Sequence, residues 1–171
     1  MSMNVEDART QMVNQQVRAW DVLDPAVLSV LAQVPREQFV PPRFRNLAFA
    51  DTEIPLGAGQ VMMTPQVEGR LLQALAIRGT DRVLEVGTGS GFLTACLARL
   101  GSGVTSLEIL PELADTARRN LRGVATWNAE VRIEDVFQYR PGEPYDVIAV
   151  TGSVPQAEAR FQHWLASGER Q

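Results

Sequence analysis

The sequence predicts an α/β fold: a doubly wound, mostly parallel sheet with a helical N-terminal extension. Three observations carry this. From Thr80 onward, short apolar runs alternate with segments of helical period, the pattern of parallel strands joined by crossover helices. The first such run, Arg82–Val86, leads straight into Gly87-Thr88-Gly89-Ser90-Gly91, a glycine-rich turn of the kind that joins a first strand to its helix. Before Thr80 that alternation is missing, and helical periodicity with proline-punctuated loops takes its place.

In chain order, Val13, Val17 and Trp20 recur at helical spacing, so Trp20 is expected to pack among the N-terminal helices. Asp24-Pro25 opens a second helix, with Asp24 as its cap, Pro25 in its first turn and Val27, Leu28 and Leu31 facing the core. Pro35, Pro41 and Pro42 break up the segment after this helix. Residues 51–65, punctuated by Pro55, Gly57, Gly59 and Pro65, read as a long irregular loop, and loops of that length in a compact domain tend to be functional. Val67, Leu71, Ala74 and Leu75 then mark a helix by their spacing.

After the glycine turn, Leu93, Cys96, Leu97 and Leu100 form one helical face. Residues 104–108 read as the second strand, and 111–121 as a proline-opened helix with Leu113, Ala114, Ala117 and Leu121 inward. Residues 130–133 and 146–151 make the third and fourth strands, and 156–165 a final helix. The whole reads as one domain, with 1–79 as helical extension and substrate loop and 80–171 as the ligand-binding core.

Composition narrows the chemistry. At 171 residues, 45% hydrophobic and 21% charged, the chain can bury a real core. Its net charge of −4 argues against a nucleic-acid partner held by bulk charge. All 16 cations are Arg, so Schiff-base chemistry and a phosphate-loop lysine are excluded. With one Cys and one His, Cys96 reads as a core residue and His163 as a surface or packing residue, and clustered Cys/His metal sites are excluded. The pairs Arg43/Arg45 and Arg118/Arg119 read as solvated faces. Neither a signal-like stretch in residues 1–19 nor an apolar run of membrane-span length occurs, so a cytoplasmic, membrane-free protein without metal is expected.

The glycine turn points to a ligand lying against bare backbone beside a positive helix end. Its spacing, G-x-G-x-G rather than G-x-G-x-x-G, disfavours a dinucleotide. Glu85 precedes it. Glu108 ends the second strand about 20 residues beyond Gly87, where a carboxylate can accept hydrogen bonds from two ribose hydroxyls. This compact motif resembles the first motif of S-adenosylmethionine-dependent methyltransferases. In that comparison Glu85, Gly87, Thr88, Gly89, Ser90 and Gly91 contact the cofactor, Glu108 holds its ribose and Asp135 its adenine amino group.

Further residues narrow the resemblance. Met12-Val13-Asn14-Gln15-Gln16-Val17-Arg18, Val34-Pro35-Arg36-Glu37-Gln38-Phe39-Val40-Pro41, Ala50-Asp51 and Ile54-Pro55-Leu56-Gly57-Ala58-Gly59-Gln60 together resemble protein-L-isoaspartate O-methyltransferases, as does Pro144-Tyr145-Asp146-Val147-Ile148-Ala149-Val150-Thr151. The resemblance implies a Rossmann-like methyltransferase fold and methylation of the α-carboxylate of L-isoaspartyl residues in ageing proteins. The ester then closes to a succinimide that reopens partly as aspartate. The alternatives are a different methyl acceptor, or a module that binds S-adenosylmethionine without catalysis. A carboxylate is already ionised at neutral pH, so such chemistry needs no general base.

Two departures stand out. Where the family has an active-site Ser ahead of the loop proline, this sequence has Met63 in Gln60-Val61-Met62-Met63-Thr64-Pro65, and Met offers no hydroxyl. Thr64, one residue on, is a candidate only if the loop shifts. A family glycine is also replaced by Val136. Second, the family's last strands are expected to come after the turn at residues 165–170, and the sequence stops at Gln171.

Overall fold

The computed structural model describes residues 4–152 and 159–166. Helix α1 (Val5–Gln11) is capped by Asn4, whose side chain accepts from the Glu6 N–H. It continues into a wide π-type turn over Met12–Val17 and a 3-10 turn over Arg18–Trp20. The i→i+5 spacing of the wide turn puts Met12 and Val17 on one buried face. The same under-rotation carries Trp20 outward, and it is 48% exposed rather than packed among the helices.

Helix α2 (Pro25–Gln33) starts as expected: the Asp24 side chain accepts from the Ala26 N–H, and Val27, Val30 and Leu31 are buried. Two 3-10 turns come next, at Arg36–Phe39 and Pro42–Leu47. Residues 51–65 depart from the expected irregular loop. Strands β1 (Ile54–Gly57) and β2 (Gln60–Met62) pair antiparallel, turned by consecutive positive φ angles at Gly57, Ala58 and Gly59.

Helix α3 (Pro65–Leu75) lies where expected, but on a different face. Gln66, Glu68, Gly69 and Leu72 are buried, Leu71 and Leu75 only partly, while Val67 and Ala74 face solvent. Gly69 lets the helix close on the wide turn: a Cβ there would lie 2.8 Å from Val17 Cγ1. Burial of Glu68 is what turns the helix away from its apolar stripe.

Strands β3 (Arg82–Val86), β4 (Gly103–Glu108), β5 (Ala129–Ile133) and β6 (Val147–Val150) form an all-parallel sheet in the order β5-β4-β3-β6. Both faces are covered, as parallel sheets require. On one face Val83, Val104, Val131 and Val147 join a core with helices α4 (Phe92–Leu100) and α5 (Pro111–Gly123) and the N-terminal elements. On the other, Leu84, Val86 and Leu107 pack with Tyr139, Tyr145 and Trp164. Arg118 keeps its side chain partly in solvent, and its Nε and Nη2 donate to the Val131 carbonyl at 3.1 and 2.7 Å, tying α5 to β5.

Of the expected final helix, α6 (Ala159–Trp164) is seen, and 156–158 lie outside the described residues. Leu165 forms a parallel bridge with Tyr145 at the β6 side of the sheet, and 167–170 of the expected turn again lie outside. Among the described residues no helix is long and apolar enough to cross a membrane.

Candidate active site

The site grows from the carboxyl ends of β3 and β4. At Gly87 the chain takes φ 100°, and a Cβ would sit 2.6 Å from the Gly152 backbone nitrogen, so only glycine fits between the ends of β3 and β6. Gly89 has φ 58° but faces open space, its nearest neighbour being Leu56 Cδ1 at 3.5 Å from a notional Cβ. Bare backbone is therefore offered to a ligand at Gly89 and to the protein at Gly87. Gly91 leads into α4, where the Ser90 Oγ accepts from the Phe92 N–H at 3.3 Å.

Glu108 is buried at the end of β4. Its Oε1 accepts from the Gly89 N–H at 3.0 Å and its Oε2 from the Leu110 N–H at 3.1 Å. Asp135 sits just past β5, its Oδ1 accepting from the Phe137 N–H at 2.9 Å. Val136, buried beside it, also lines the cavity.

Beneath the turn lies a polar chain that the sequence does not signal. Glu85 is fully buried, and its Oε1 accepts from the hydroxyls of Thr94 and of Ser106, the latter at 2.7 Å. Because Ser106 spends its proton on Glu85, the Thr88 hydroxyl donates to Ser106 Oγ at 2.6 Å. The other Glu85 oxygen, Oε2, is buried without a hydrogen-bond partner. Burial pushes the Glu85 carboxyl up to about 7, against the two hydroxyl bonds and with the help of nearby Glu108.

The opposite wall comes from the N-terminal part. Leu56, Gln60 and Met62 of the hairpin and Met63 after it face the glycine turn across a cavity of about 250 Å³. Glu85, Gly87, Thr88, Gly89, Ser90, Glu108, Asp135 and Met63 all line it, whereas Gly91 and Thr64 do not. Thr64 caps α3, its Oγ1 accepting from the Val67 N–H at 3.4 Å. Five carboxylates (Glu68, Glu85, Glu108, Glu134 and Asp135) line the cavity, and among the described residues no Arg or His does. With Glu68 paired to Arg36 and the Glu85 carboxyl raised to about 7, Glu108, Glu134 and Asp135 are the carboxylates that suit this cavity to a ligand carrying positive charge. Burial raises the Glu68 carboxyl, opposed by Arg36, a pair that apolar patterning overlooks.

Comparison with known proteins points the same way. The model of the family described as protein-L-isoaspartate(D-aspartate) O-methyltransferase matches residues 7–170. Protein-L-isoaspartate O-methyltransferase 1 of Rhodopseudomonas palustris (strain HaA2) is 40% identical over 163 residues, covering 95% of this chain and 66% of that protein. The protein-L-isoaspartate O-methyltransferase of Methanoculleus marisnigri is also 40% identical over 163 residues, covering 95% of this chain and 74% of its own length. The chain thus spans about two thirds to three quarters of these relatives. Among solved structures, a protein-L-isoaspartate O-methyltransferase matches with a TM-score of 0.80 at 22% identity, over 94% of this chain and 53% of that one. A Plasmodium falciparum protein described as a beta-aspartate methyltransferase, in complex with S-adenosyl-L-homocysteine, matches with a TM-score of 0.78 at 19% identity, over 98% and 82%. At those identities the two structures establish a shared fold.

Proposed function

The chain belongs to the protein-L-isoaspartate(D-aspartate) O-methyltransferase family, and from that premise we propose that it methylates the free α-carboxylate of L-isoaspartyl residues, with S-adenosylmethionine as donor. The observation that carries this reading is a cavity walled on one side by the glycine turn, Glu108 and Asp135, and on the other by the hairpin and Met63. Residues 80–171 then supply the cofactor side and residues 1–79 the acceptor side.

The residues present fit a sulfonium cofactor. Glu108, Glu134 and Asp135 line the cavity, and Glu85 Oε2 is buried there without a hydrogen-bond partner. Glu108 spends one lone pair of each oxygen on a backbone N–H, which leaves one on each for two ribose hydroxyls. Asp135 is the acceptor for an adenine amino group, and the bare backbone at Gly89 admits close approach. S-adenosylmethionine, when bound, supplies an activated methyl group. The chain's own contribution is alignment: an isoaspartyl carboxylate is ionised at neutral pH, so the protein has to hold it in line rather than deprotonate it.

Met63 bears on the acceptor. Its side chain cannot donate to a carboxylate, and Thr64, whose hydroxyl accepts from the Val67 N–H and keeps its proton to donate, does not line the cavity. A second reading, methylation of a different acceptor by the same cofactor site, draws its support from this position. A cytoplasmic location belongs to the first reading. Transfer of labelled methyl to an isoaspartyl peptide, with no transfer to its aspartyl twin, is the test.

A further inference from the structure

Arg36 is fully buried, does not line the cavity, and touches both of its walls. From the 3-10 turn Arg36–Phe39 its Nη2 donates to the Met63 carbonyl at 2.8 Å and to Glu68 Oε1 at 2.9 Å, its Nε also reaches Glu68 Oε1 at 3.2 Å, and its Nη1 donates to the Ala48 carbonyl. The guanidinium carbon lies over the ring of Phe92, with Cζ 5.3 Å from the ring centroid, a cation–π contact. Phe92 is the first residue of α4, directly after the glycine turn, and it lines the cavity from the cofactor side. Phe39, from the same turn as Arg36, meets Phe92 edge-on at 5.7 Å.

Met63 stands in the short link between β2 and the cap of α3, outside the β1–β2 ladder. The Arg36 bond to its carbonyl ties that link to Arg36, and the cation–π contact with Phe92 holds Arg36 against the other wall. Such a planar fork with several donors and a stacking face is specific to Arg, and Lys cannot reproduce it.

We propose that Arg36 is a positioning residue for methyl transfer: it sets the separation between the acceptor link at Met63 and the cofactor turn at Gly87–Gly91. The transfer itself rests on the proposed function; the positioning is testable without it. Two variants are needed, Arg36→Lys and the uncharged pair Arg36→Met with Glu68→Met, because Arg36→Met alone strands a buried carboxylate.

The experiment combines hydrogen–deuterium exchange, S-adenosylhomocysteine titration and steady-state kinetics on the whole chain. With S-adenosylhomocysteine bound, exchange over residues 60–64 rises about tenfold in both variants and stays within about twofold over residues 87–91. In Arg36→Lys, which leaves every cavity-lining residue in place, affinity for S-adenosylhomocysteine changes by less than about threefold, while kcat falls about 100-fold with the KM for the donor unchanged. Exchange that rises equally everywhere, or stays unchanged over 60–64, overturns the proposal and leaves Arg36 a fold residue. Failure of Arg36→Lys to fold overturns it in the same way. If the parent chain does not methylate isoaspartyl peptide, the functional reading fails, and the exchange and titration still decide the role of Arg36.

Discussion

The Glu108 carboxylate accepts a hydrogen bond from the Gly89 N–H at 3.0 Å, joining the end of β4 to the turn after β3. A second bond, from the Leu110 N–H at 3.1 Å, stops the carboxylate from rotating. Replacing Glu108 by Ala removes two bonds to a charged group together with the ribose acceptor. Affinity for S-adenosylhomocysteine should fall by about 10- to 100-fold, at about 1.5–3 kcal/mol per charged bond shared between fold and ligand. Isothermal titration reads this directly, and Glu108→Gln should lose less.

The glycines of the turn divide by function. Gly87→Ala places a Cβ 2.6 Å from the Gly152 nitrogen in a left-handed conformation, so it should destabilise the fold by roughly 2–4 kcal/mol in a denaturant titration. Gly89→Ala meets only Leu56 and should cost about 1 kcal/mol of strain, while its methyl group intrudes on the cavity and weakens S-adenosylhomocysteine binding. Equal loss of stability in the two variants contradicts this division.

Glu85 makes stability depend on pH. Its folded carboxyl lies near 7 against an ordinary 4.5, so the native state holds more protons between those values. Stability from this group is therefore full below about 4.5 and declines as pH rises toward 7, by at most on the order of 3 kcal/mol. The buried Glu68, also raised, acts in the same direction. Glu85→Gln should flatten the melting-temperature profile between pH 5 and 8 and raise the melting temperature at the upper end; a profile parallel to that of the parent contradicts the assignment.

Met63→Ser introduces a hydroxyl at the position that the resemblance assigns to an active-site serine. The backbone there is held through its carbonyl by Arg36, so the change leaves the link in place. Turnover of an isoaspartyl peptide should rise about tenfold, the worth of a hydrogen bond to a charged group. An unchanged rate would show that this position does not touch the acceptor.

Local chemistry made much of the fold legible. Asp24-Pro25 and Pro111 announce their helices because a cap or a fixed φ acts within a few residues. The glycine turn, Glu108 and Asp135 could be placed from spacing because parallel strands end at one edge. What stayed hidden depends on distant partners. The buried face of α3 turns on Glu68 meeting Arg36, 32 residues away, and no apolar pattern encodes an inward carboxylate. The hairpin at residues 54–62 needs positive φ at Ala58, a residue with no left-handed preference, and its short strands carry Pro55. Trp20 is misread because a wide helical turn shifts the face on which it falls.

The most direct test is transfer of labelled methyl from S-adenosylmethionine to two peptides that differ only in one isoaspartyl or aspartyl linkage. Labelling of the isoaspartyl peptide alone, lost on heating in base as expected of an ester, is the expected result. Titratable binding of S-adenosylhomocysteine with no transfer to either peptide would contradict the isoaspartyl reading and move the cofactor site to another acceptor.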